Sequence, residues 1–252
     1  MICLCEGEIM DKSKIRVIAM DLDGTLTQHK QPMAPRTRET LVRLSEKYKL
    51  MMVGAGQVMR IFNQMEQFPI DIIGNYGMQY ATYNPQTGGM DMQRNETILA
   101  PDRAPIEAKV TAFREKYGYT EYAGDNVEYH PSGCLTFPIL GTKAKQEDKL
   151  AFDPDRVKRR RIYAEVCEAF SDYCVFVGGS SSFDMAPKPY NKYYALDLYC
   201  REQGIAHENV LFIGDDYGTG GNDESVYLSD IPFLCVDDYT TFPDLVAFLL
   251  ED

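Results

Sequence analysis

The stretch Met20-Asp21-Leu22-Asp23-Gly24-Thr25-Leu26-Thr27 decides the fold of this chain. It continues the apolar run Ile15-Arg16-Val17-Ile18-Ala19-Met20, which is typical of a buried strand in a parallel sheet. Side chains alternate along a strand, so Asp21 and Asp23 are expected on the same side of the backbone. Gly24 then permits a sharp turn, because glycine tolerates positive φ. Ligands of open α/β sheets bind at the carboxyl ends of the strands, so this pair of carboxylates predicts a functional site there.

The paired carboxylates also predict a metal cofactor. Two carboxylates this close repel each other, and a bound divalent cation relieves the repulsion. Mg²⁺ prefers hard oxygen ligands, so it is the predicted cofactor. A second stretch has the same design, because the apolar run Val210-Leu211-Phe212-Ile213-Gly214 ends in Asp215. If the two strands are neighbours in the sheet, Asp215 is able to share the cation with Asp21.

Strands alternate with helices along most of the chain, which predicts an α/β fold with a Rossmann-like parallel sheet. Near Arg94 the pattern changes to paired strands flanked by helices, which is typical of an inserted α+β module. We therefore predict an α/β core domain over residues 1–93 and 187–252. An inserted α+β domain is predicted over residues 94–186.

The composition argues against several classes of function. The formal net charge of −12 does not suit a surface that binds nucleic acid or an anionic membrane. No apolar run approaches the ~20 residues that span a bilayer. The seven cysteines are odd in number and scattered, which indicates reduced thiols and predicts a cytoplasmic protein. Four of them have apolar neighbours and are interpreted as core residues: Cys167, Cys174, Cys200 and Cys235.

The basic run Lys158-Arg159-Arg160-Arg161 is interpreted as a solvated helix face rather than a nucleic-acid patch. The apolar residues around it have the spacing of a helix side that faces a core. They are Val157, Ile162, Val166 and Phe170.

The first motif, Asp21-Leu22-Asp23-Gly24-Thr25, resembles the signature of the haloacid dehalogenase-like superfamily of phosphotransferases. This resemblance implies that Asp21 is the nucleophile that becomes an aspartyl-phosphate. It also implies that Asp23 is the general acid/base, which protonates the leaving oxygen and then activates water. An activated carboxylate divides a hard reaction into two easier steps.

The resemblance extends to the metal site. The segment from Gly214-Asp215 to Asn222-Asp223 is similar to the motif that closes the superfamily's metal site. It implies Asp215 as a metal ligand together with Asp21 and Asp23. Asn222 and Asp223 are implied as supporting contacts to the metal.

A lysine that precedes this last motif neutralises the nucleophile and the transferring phosphoryl group in the superfamily. Lys192 is the best match, at the start of a predicted helix, where the helix dipole disfavours a cation. Lys188 is the alternative. Electrostatic stabilisation of this kind carries much of phosphoryl-transfer catalysis.

The superfamily's remaining motif is a Ser or Thr after the second strand, whose hydroxyl holds a phosphoryl oxygen. The corresponding stretch here, Gly54-Ala55-Gly56-Gln57, has no hydroxyl. Backbone N–H groups at a helix start also bind anions. We therefore predict that Gly54, Ala55 and Gly56 bind the phosphate through their backbone.

The inserted module is similar to the large α/β (C2B-type) cap of the Cof/phosphomannomutase-like branch of the superfamily. Several stretches look like eukaryotic-type phosphomannomutases: Val53-Gly54-Ala55-Gly56, Gly133-Cys134-Leu135, Gln146-Glu147-Asp148, Gly178-Gly179 and Ser182-Phe183-Asp184. In that family the last of these supplies a sugar-contacting pair. The resemblance thus implies that Ser182 and Asp184 bind the substrate.

Departures from that family decide which activity is predicted. The mutases grip a distal phosphate with several arginines, whereas the matching positions here are Pro131, Thr142, Lys149 and Lys30. Lysine cannot form the bidentate hydrogen bonds through which arginine binds phosphate. Lys149 belongs to a lysine-rich stretch that is either a weaker phosphate-binding rim or a solvated loop.

The predicted function is therefore a Mg²⁺-dependent phosphatase that acts on a sugar phosphate or a similar small phosphoester. One alternative is a phosphomannomutase that interconverts mannose 1-phosphate and mannose 6-phosphate. Another is a non-catalytic phosphometabolite-binding protein, which the missing hydroxyl favours. The predicted partner is a small phosphorylated substrate, with no nucleic acid and no membrane, and no oligomeric state is predicted.

Overall fold

A computed structural model describes residues 11–99 and 102–251 of the chain. The chain forms two compact units. The first unit consists of the residues up to Asn95, Asn191–Gly218 and the residues from Asp223 onwards. The second unit consists of Glu96–Tyr190 and Thr219–Asn222.

In the described residues the strands are, in chain order, β1 (Val17–Met20), β2 (Lys49–Val53), β3 (Asp71–Gly74), β4 (Gln79–Asn84), β5 (Gly89–Asn95), β6 (Glu128–Tyr129), β7 (Leu135–Pro138), β8 (Tyr173–Phe176), β9 (Ser182–Pro187), β10 (Val210–Gly214) and β11 (Phe233–Cys235). The α-helices are α1 (Pro35–Ser45), α2 (Val58–Gln64), α3 (Arg103–Tyr117), α4 (Gln146–Phe152), α5 (Val157–Ala169), α6 (Lys192–Gln203), α7 (Glu224–Tyr227), α8 (Phe242–Leu245) and α9 (Ala247–Leu250). No helix within these ranges has both the length and the apolar character needed to cross a membrane.

The first unit is built on a seven-stranded sheet with the order β11-β10-β1-β2-β3-β4-β5. The five strands from β11 to β3 are parallel, whereas β4 and β5 are antiparallel. The predicted Rossmann-like α/β core is confirmed, but its sheet is mixed rather than wholly parallel. A hairpin joins β4 to β5, and in its turn Gly88 adopts positive φ and donates its N–H to Asn84 O. A hairpin returns the chain directly beside itself, so its strands must be antiparallel.

The central strands β1 and β10 are buried along their whole length. Both strands consist of apolar residues and glycine, because helices cover both faces of a parallel sheet of this kind. The two strands are neighbours, with Met20 paired to Ile213. Their carboxyl ends, and the aspartates that follow them, therefore lie side by side.

The second unit has a four-stranded antiparallel sheet with the order β6-β7-β9-β8, together with α3, α4 and α5. The predicted α+β character of the inserted module is confirmed. The helix α4 was not predicted, because none of its residues is buried and its sequence therefore lacks apolar periodicity.

Arg159 differs from the interpretation of the basic run in α5 as a solvated face, whereas Lys158 and Arg161 are exposed. Arg159 is only 1% exposed, and its Nε donates to Asp153 Oδ2 at 2.8 Å. Its Nη1 donates to the carbonyl oxygen of Gly178 at 2.6 Å. Val157, predicted to face a core, is 59% exposed because it opens the helix. The core-facing side of α5 thus begins with an arginine, which a buried carboxylate neutralises.

The cysteines follow the prediction only in part. Cys167, Cys174 and Cys200 carry free thiols, and of these Cys200 is fully buried. Cys235 is disulfide-bonded, so the prediction of reduced thiols is wrong for this residue. Scattered spacing does not reveal which cysteines the fold brings together.

Replacing Arg159 with alanine is expected to lower the free energy of unfolding by about 3–5 kcal/mol, because it leaves the Asp153 carboxylate buried and uncompensated. Urea denaturation followed by circular dichroism measures the change. Arg161→Ala, which removes an exposed arginine of the same run, is the matched control and should stay within ~0.5 kcal/mol of the wild type. Equal destabilisation by both variants would contradict the structural role of Arg159.

Candidate active site

Asp21 and Lys192 form the centre of the candidate site in the first unit. Asp21 follows β1 directly and is 5% exposed, and its Oδ1 accepts a hydrogen bond from Lys192 Nζ at 2.7 Å. Lys192 is fully buried and also donates to Asp223 Oδ1 at 2.6 Å. Asn191 caps α6 by accepting the N–H of Tyr194, which fixes the first turn of the helix and thus the position of Lys192.

Of the two candidate lysines, only Lys192 contacts the predicted nucleophile. Lys188 is an exposed residue of the second unit, and its backbone N–H donates to the carbonyl oxygen of Asp172. The geometry therefore favours Lys192 for the role that the sequence left open between them.

Three carboxylates of the first unit converge at this place. Asp21, Asp215 and Asp223 each offer an oxygen atom, and these atoms lie within 4.8 Å of one another. Asp215 follows β10 and accepts a hydrogen bond from Thr25 Oγ1 at 2.7 Å. Asp223 is fully buried, and its Oδ2 accepts the backbone N–H of Asp216 at 3.0 Å. The predicted proximity of Asp21 and Asp215 is thus observed.

Two glycines make this close approach possible. Gly24 has φ +104°, and a Cβ at this position would lie 2.4 Å from Asp215 Oδ2. A Cβ at Gly214 would lie 2.6 Å from Asp223 Oδ2. Both distances are too short for a side chain, so any larger residue would push a carboxylate away.

The donor set suits a divalent cation. When all groups are ionised, the three carboxylates carry three negative charges against the one positive charge of Lys192. Carboxylate oxygens are the ligands that Mg²⁺ and Ca²⁺ prefer, and a divalent cation would balance the excess charge. The carboxylate of Asp23 does not join the group of three, and Asn222 belongs to the second unit. Asp23 and Asn222 therefore stay predictions as metal ligands.

The pKa values reflect this crowding of charges. Burial raises the pKa of Asp215 to about 7, and the neighbouring carboxylates of Asp21 and Asp223 add to the effect. Burial also raises the pKa of Asp21 to about 6, against the opposing charge of Lys192. Burial alone would lower the pKa of Lys192, but the two adjacent carboxylates raise it above its usual value. Lys192 is therefore a permanent cation, while protons compete with a metal for Asp21 and Asp215.

Asp23 has partners of its own. Its Oδ1 accepts the backbone N–H of Lys30 and the Nε2 of Gln64, both at 2.7 Å. Its Oδ2 lies 3.2 Å from Arg60 Nη1 and 3.9 Å from His29 Nδ1. Burial would raise the pKa of Asp23, but these donors and cations together lower it below its usual value. Asp23 is therefore held as a carboxylate in this arrangement.

Sequence reasoning did not find Arg60 and Gln64. They are four residues apart on α2, and Arg60 Nη1 donates to Gln64 Oε1 at 2.8 Å. The available signal was a polar i, i+4 pair on the helix that follows the predicted phosphate-binding stretch.

The predicted backbone phosphate site is only partly available. Gly54, Ala55 and Gly56 form the turn between β2 and α2. The N–H of Gly54 donates to Ile73 O at 2.9 Å, so it is not free to bind an anion. The backbone groups of Ala55 and Gly56 stay predictions as phosphate-binding groups.

The predicted substrate residues of the second unit fall into two places. Asp184 Oδ1 accepts hydrogen bonds from Thr136 Oγ1 at 3.0 Å and from Ser182 Oγ at 3.4 Å. Burial raises the pKa of Asp184. Lys149 instead donates its Nζ to Thr142 O at 3.1 Å. Ser182 and Asp184 are thus a hydrogen-bonded pair. The side chain of Lys149 instead links α4 to the backbone of Thr142 in the preceding loop.

Comparison with known proteins finds similarity in sequence and in fold. The family described as eukaryotic phosphomannomutase matches residues 119–234. A phosphomannomutase of Encephalitozoon cuniculi (strain GB-M1) is 25% identical over 239 residues, which are 86% of each chain. Among solved structures, an IMP-bound, N-terminally truncated IMP-nucleotidase of Plasmodium falciparum superposes with a TM-score of 0.66 at 12% identity, over 94% of this chain and 68% of that chain. A haloacid dehalogenase-like hydrolase from B. subtilis gives a TM-score of 0.55 at 15% identity, over 84% of this chain and 85% of that chain.

In sequence the chain is similar to phosphomannomutases, and in fold it is similar to a haloacid dehalogenase-like hydrolase. The resemblance inferred from the sequence is confirmed at this level.

The raised pKa of Asp215 predicts a pH-dependent stability in the presence of a chelator. A carboxyl whose pKa is higher in the folded state than in the unfolded state stabilises the fold fully at low pH, and loses that contribution as the pH rises through the folded value of about 7. We therefore expect Asp215→Asn to gain stability relative to the wild type between pH 5 and pH 8. Urea unfolding at both pH values, with EDTA, measures this difference.

Added Mg²⁺ serves as the control for that experiment. At pH 8 it should stabilise the wild type more than Asp215→Asn, because ligands that bind only the folded state stabilise it. A stability difference between the two proteins that is the same at pH 5 and pH 8 would contradict the expectation.

Proposed function

We propose that this chain is a Mg²⁺-dependent phosphatase that hydrolyses a sugar phosphate or a similar small phosphoester through an aspartyl-phosphate on Asp21. The observation that carries the proposal is the convergence of Asp21, Asp215 and Asp223 around Lys192. Such a site combines a nucleophile, a fixed cation and a set of hard oxygen ligands, which is what phosphoryl transfer requires.

Asp21 suits the role of nucleophile. Its Oδ1 is held by Lys192, and its Oδ2 has no hydrogen-bond partner in the described part of the chain. In the first step an oxygen of Asp21 forms a bond to phosphorus, the bond from phosphorus to the leaving oxygen breaks, and that oxygen takes a proton from Asp23. In the second step Asp23 takes a proton from water, the water oxygen bonds to phosphorus, and the carboxylate of Asp21 is released.

The remaining groups neutralise charge. A bound Mg²⁺ would neutralise the developing negative charge on the phosphoryl oxygens, with Asp21, Asp215 and Asp223 able to hold it. Lys192 fixes Asp21 and contributes a permanent positive charge beside the reacting oxygen. Asp23 is in the form that accepts a proton from water, and it must be protonated before it can serve the leaving group.

Hydrolysis is favoured over mutase activity by the residues that stand where the mutases have phosphate-binding arginines. A mutase must hold a bisphosphate in two orientations. It therefore needs residues that bind phosphate strongly at both ends of this molecule. Pro131 carries no charge, and Lys149 is engaged by Thr142 O. We retain the proposal that Ser182 and Asp184 bind a polar group of the substrate.

Phosphomannomutase is the second candidate function. It is favoured by the match to the eukaryotic phosphomannomutase family over residues 119–234 and by the names of relatives that the chain matches over 86–87% of their length. The cytoplasmic location stays a prediction, and the disulfide-bonded Cys235 removes part of its basis.

A phosphate-release screen tests the proposal. Sugar, polyol and nucleotide phosphates are supplied with Mg²⁺ or with EDTA, and we expect turnover of at least one sugar phosphate only with Mg²⁺. Asp21→Asn should lower kcat by about a thousandfold or more, because it removes the nucleophile. Asp91→Asn, an exposed aspartate on β5, is the matched control and should leave kcat unchanged.

The same preparation separates the alternatives. Conversion of mannose 1-phosphate to mannose 6-phosphate without phosphate release would establish the mutase. Phosphoester binding without turnover, with any divalent metal, would establish a binding protein and contradict both enzymatic proposals.

A further inference from the structure

The first unit carries an open cavity of about 640 Å³ that contains none of the carboxylates of the candidate active site. Lys49 and Asp71, the first residues of β2 and β3, are part of its lining. These strands run parallel to β1, and Asp21 follows the carboxyl end of β1. The cavity therefore lies at the opposite end of the sheet from the candidate active site. Its volume is within the range of roughly 300–1,000 Å³ that ligand pockets have.

Two tyrosines place hydroxyl groups without a protein partner at this cavity. Tyr80 on β4 and Tyr199 on α6 belong to its lining, although their side chains are only 8% and 5% exposed. In the part of the chain that the structure describes, neither hydroxyl has a hydrogen-bond partner. No side-chain oxygen there is both buried and unpaired, so the small exposed part of each tyrosine includes its hydroxyl oxygen. Buried tyrosine hydroxyls usually have a partner, and a bound ligand would supply one here.

The packing of the two rings fixes where these hydroxyls lie. The ring centroids of Tyr80 and Tyr199 are 5.9 Å apart, and the rings meet edge to face at 77°. Both rings belong to one buried core cluster of the first unit. The two hydroxyls are therefore held by the core, and a ligand would pay little to order them.

The charges around the cavity balance one another. Lys49 Nζ lies 2.5 Å from Asp71 Oδ2, and Arg94 forms an ion pair with Glu202. These four lining residues together carry no net charge. A charged ligand would meet a like charge beside each opposite one, so the lining favours a neutral ligand.

The surroundings of Tyr80 also argue against an anion. Burial raises the pKa of Tyr80, and the carboxylates of Asp71 and Glu202 add to the effect. The phenol therefore stays protonated, so it is able both to donate and to accept a hydrogen bond. The same carboxylates would repel a phosphate or carboxylate group at this hydroxyl. Aliphatic hydroxyl groups suit the lining best, because they are neutral and also donate and accept.

We propose that this cavity binds a neutral polyhydroxylated molecule, such as an unphosphorylated sugar or polyol, through the hydroxyl groups of Tyr80 and Tyr199. The ion pairs of the lining offer further oxygen and nitrogen atoms to the hydroxyls of the ligand. The inference does not rest on the proposed function, because neither tyrosine belongs to the candidate active site.

Saturation-transfer NMR titrations of the full chain with D-glucose, D-mannose, trehalose and sorbitol test the inference. We expect at least one of these probes to bind. Tyr80→Phe and Tyr199→Phe should each weaken that binding by about two- to tenfold, because each removes one hydrogen bond between neutral groups. The urea midpoint of unfolding should stay unchanged in both variants, since neither hydroxyl bonds to a described residue of the protein.

Tyr83→Phe is the matched control. Tyr83 also lies on β4, but it packs against a different core cluster from the one that contains Tyr80. This variant should bind the probe as the wild type does. Raising the NaCl concentration from about 20 mM to about 500 mM should change the affinity less than twofold, because salt screens interactions between charges and the ligand is neutral.

Three results would overturn the inference. The first is that none of the four probes binds to the wild type. The second is binding that both tyrosine variants leave unchanged, which would place the probe elsewhere on the protein. The third is that sodium phosphate or tetramethylammonium chloride, and no sugar or polyol, binds in a way that depends on the two hydroxyls.

Discussion

The buried ammonium group of Lys192 holds the candidate site together. It joins the end of β1, through Asp21, to the loop after β10, through Asp223. A charge this deeply buried is tolerated only when it is paired and hydrogen-bonded, so the two carboxylates and the lysine fix one another's positions. The pairing leaves an excess of negative charge at the strand ends, and this excess is what makes the place suitable for a divalent cation.

The backbone reinforces this arrangement. Gly24 and Gly214 let the carboxylates of Asp215 and Asp223 approach the chain more closely than any side chain at those positions would permit. Thr25 then orients Asp215 with a hydrogen bond. The carboxylate oxygens are therefore positioned by the buried Thr25 and Gly214 and by the half-buried Gly24, and electrostatic catalysis depends on preorganisation of this kind.

The sequence predicted the parts of the fold that local patterns encode. The apolar runs before Asp21 and Asp215 predicted two buried strands, and the structure shows that these strands are neighbours. A helix that begins near Lys192 was also predicted, and the unfavourable position of a lysine at a helix start pointed to a functional role for this residue.

What the sequence could not predict depends on tertiary partners. Arg159 follows no pattern of a core residue, and only the fold shows that Asp153 neutralises it. The position of Arg60 depends on Gly56, four residues earlier in the chain. No pattern in the sequence indicates that these two residues are in contact. Disulfide bonding of Cys235 likewise depends on which cysteines the fold brings together. In each case a tertiary contact determines where the side chain lies. The hydrophobic periodicity of the sequence does not reveal such contacts.

The order of the strands has a consequence for synthesis on the ribosome. From Met20 at the end of β1 to Val210 at the start of β10, the chain runs for 190 residues. At translation rates of roughly 5–20 residues per second, β10 is synthesised roughly 10–40 s after β1. The edge of β1 that pairs with β10 is unpaired for that time. During that time the nascent polypeptide presents an apolar, unpaired strand edge, and Asp21 lacks the lysine that will neutralise it. The carboxylates of Asp21, Asp215 and Asp223 can therefore converge around Lys192 only after β10 and the loop that follows it have been synthesised.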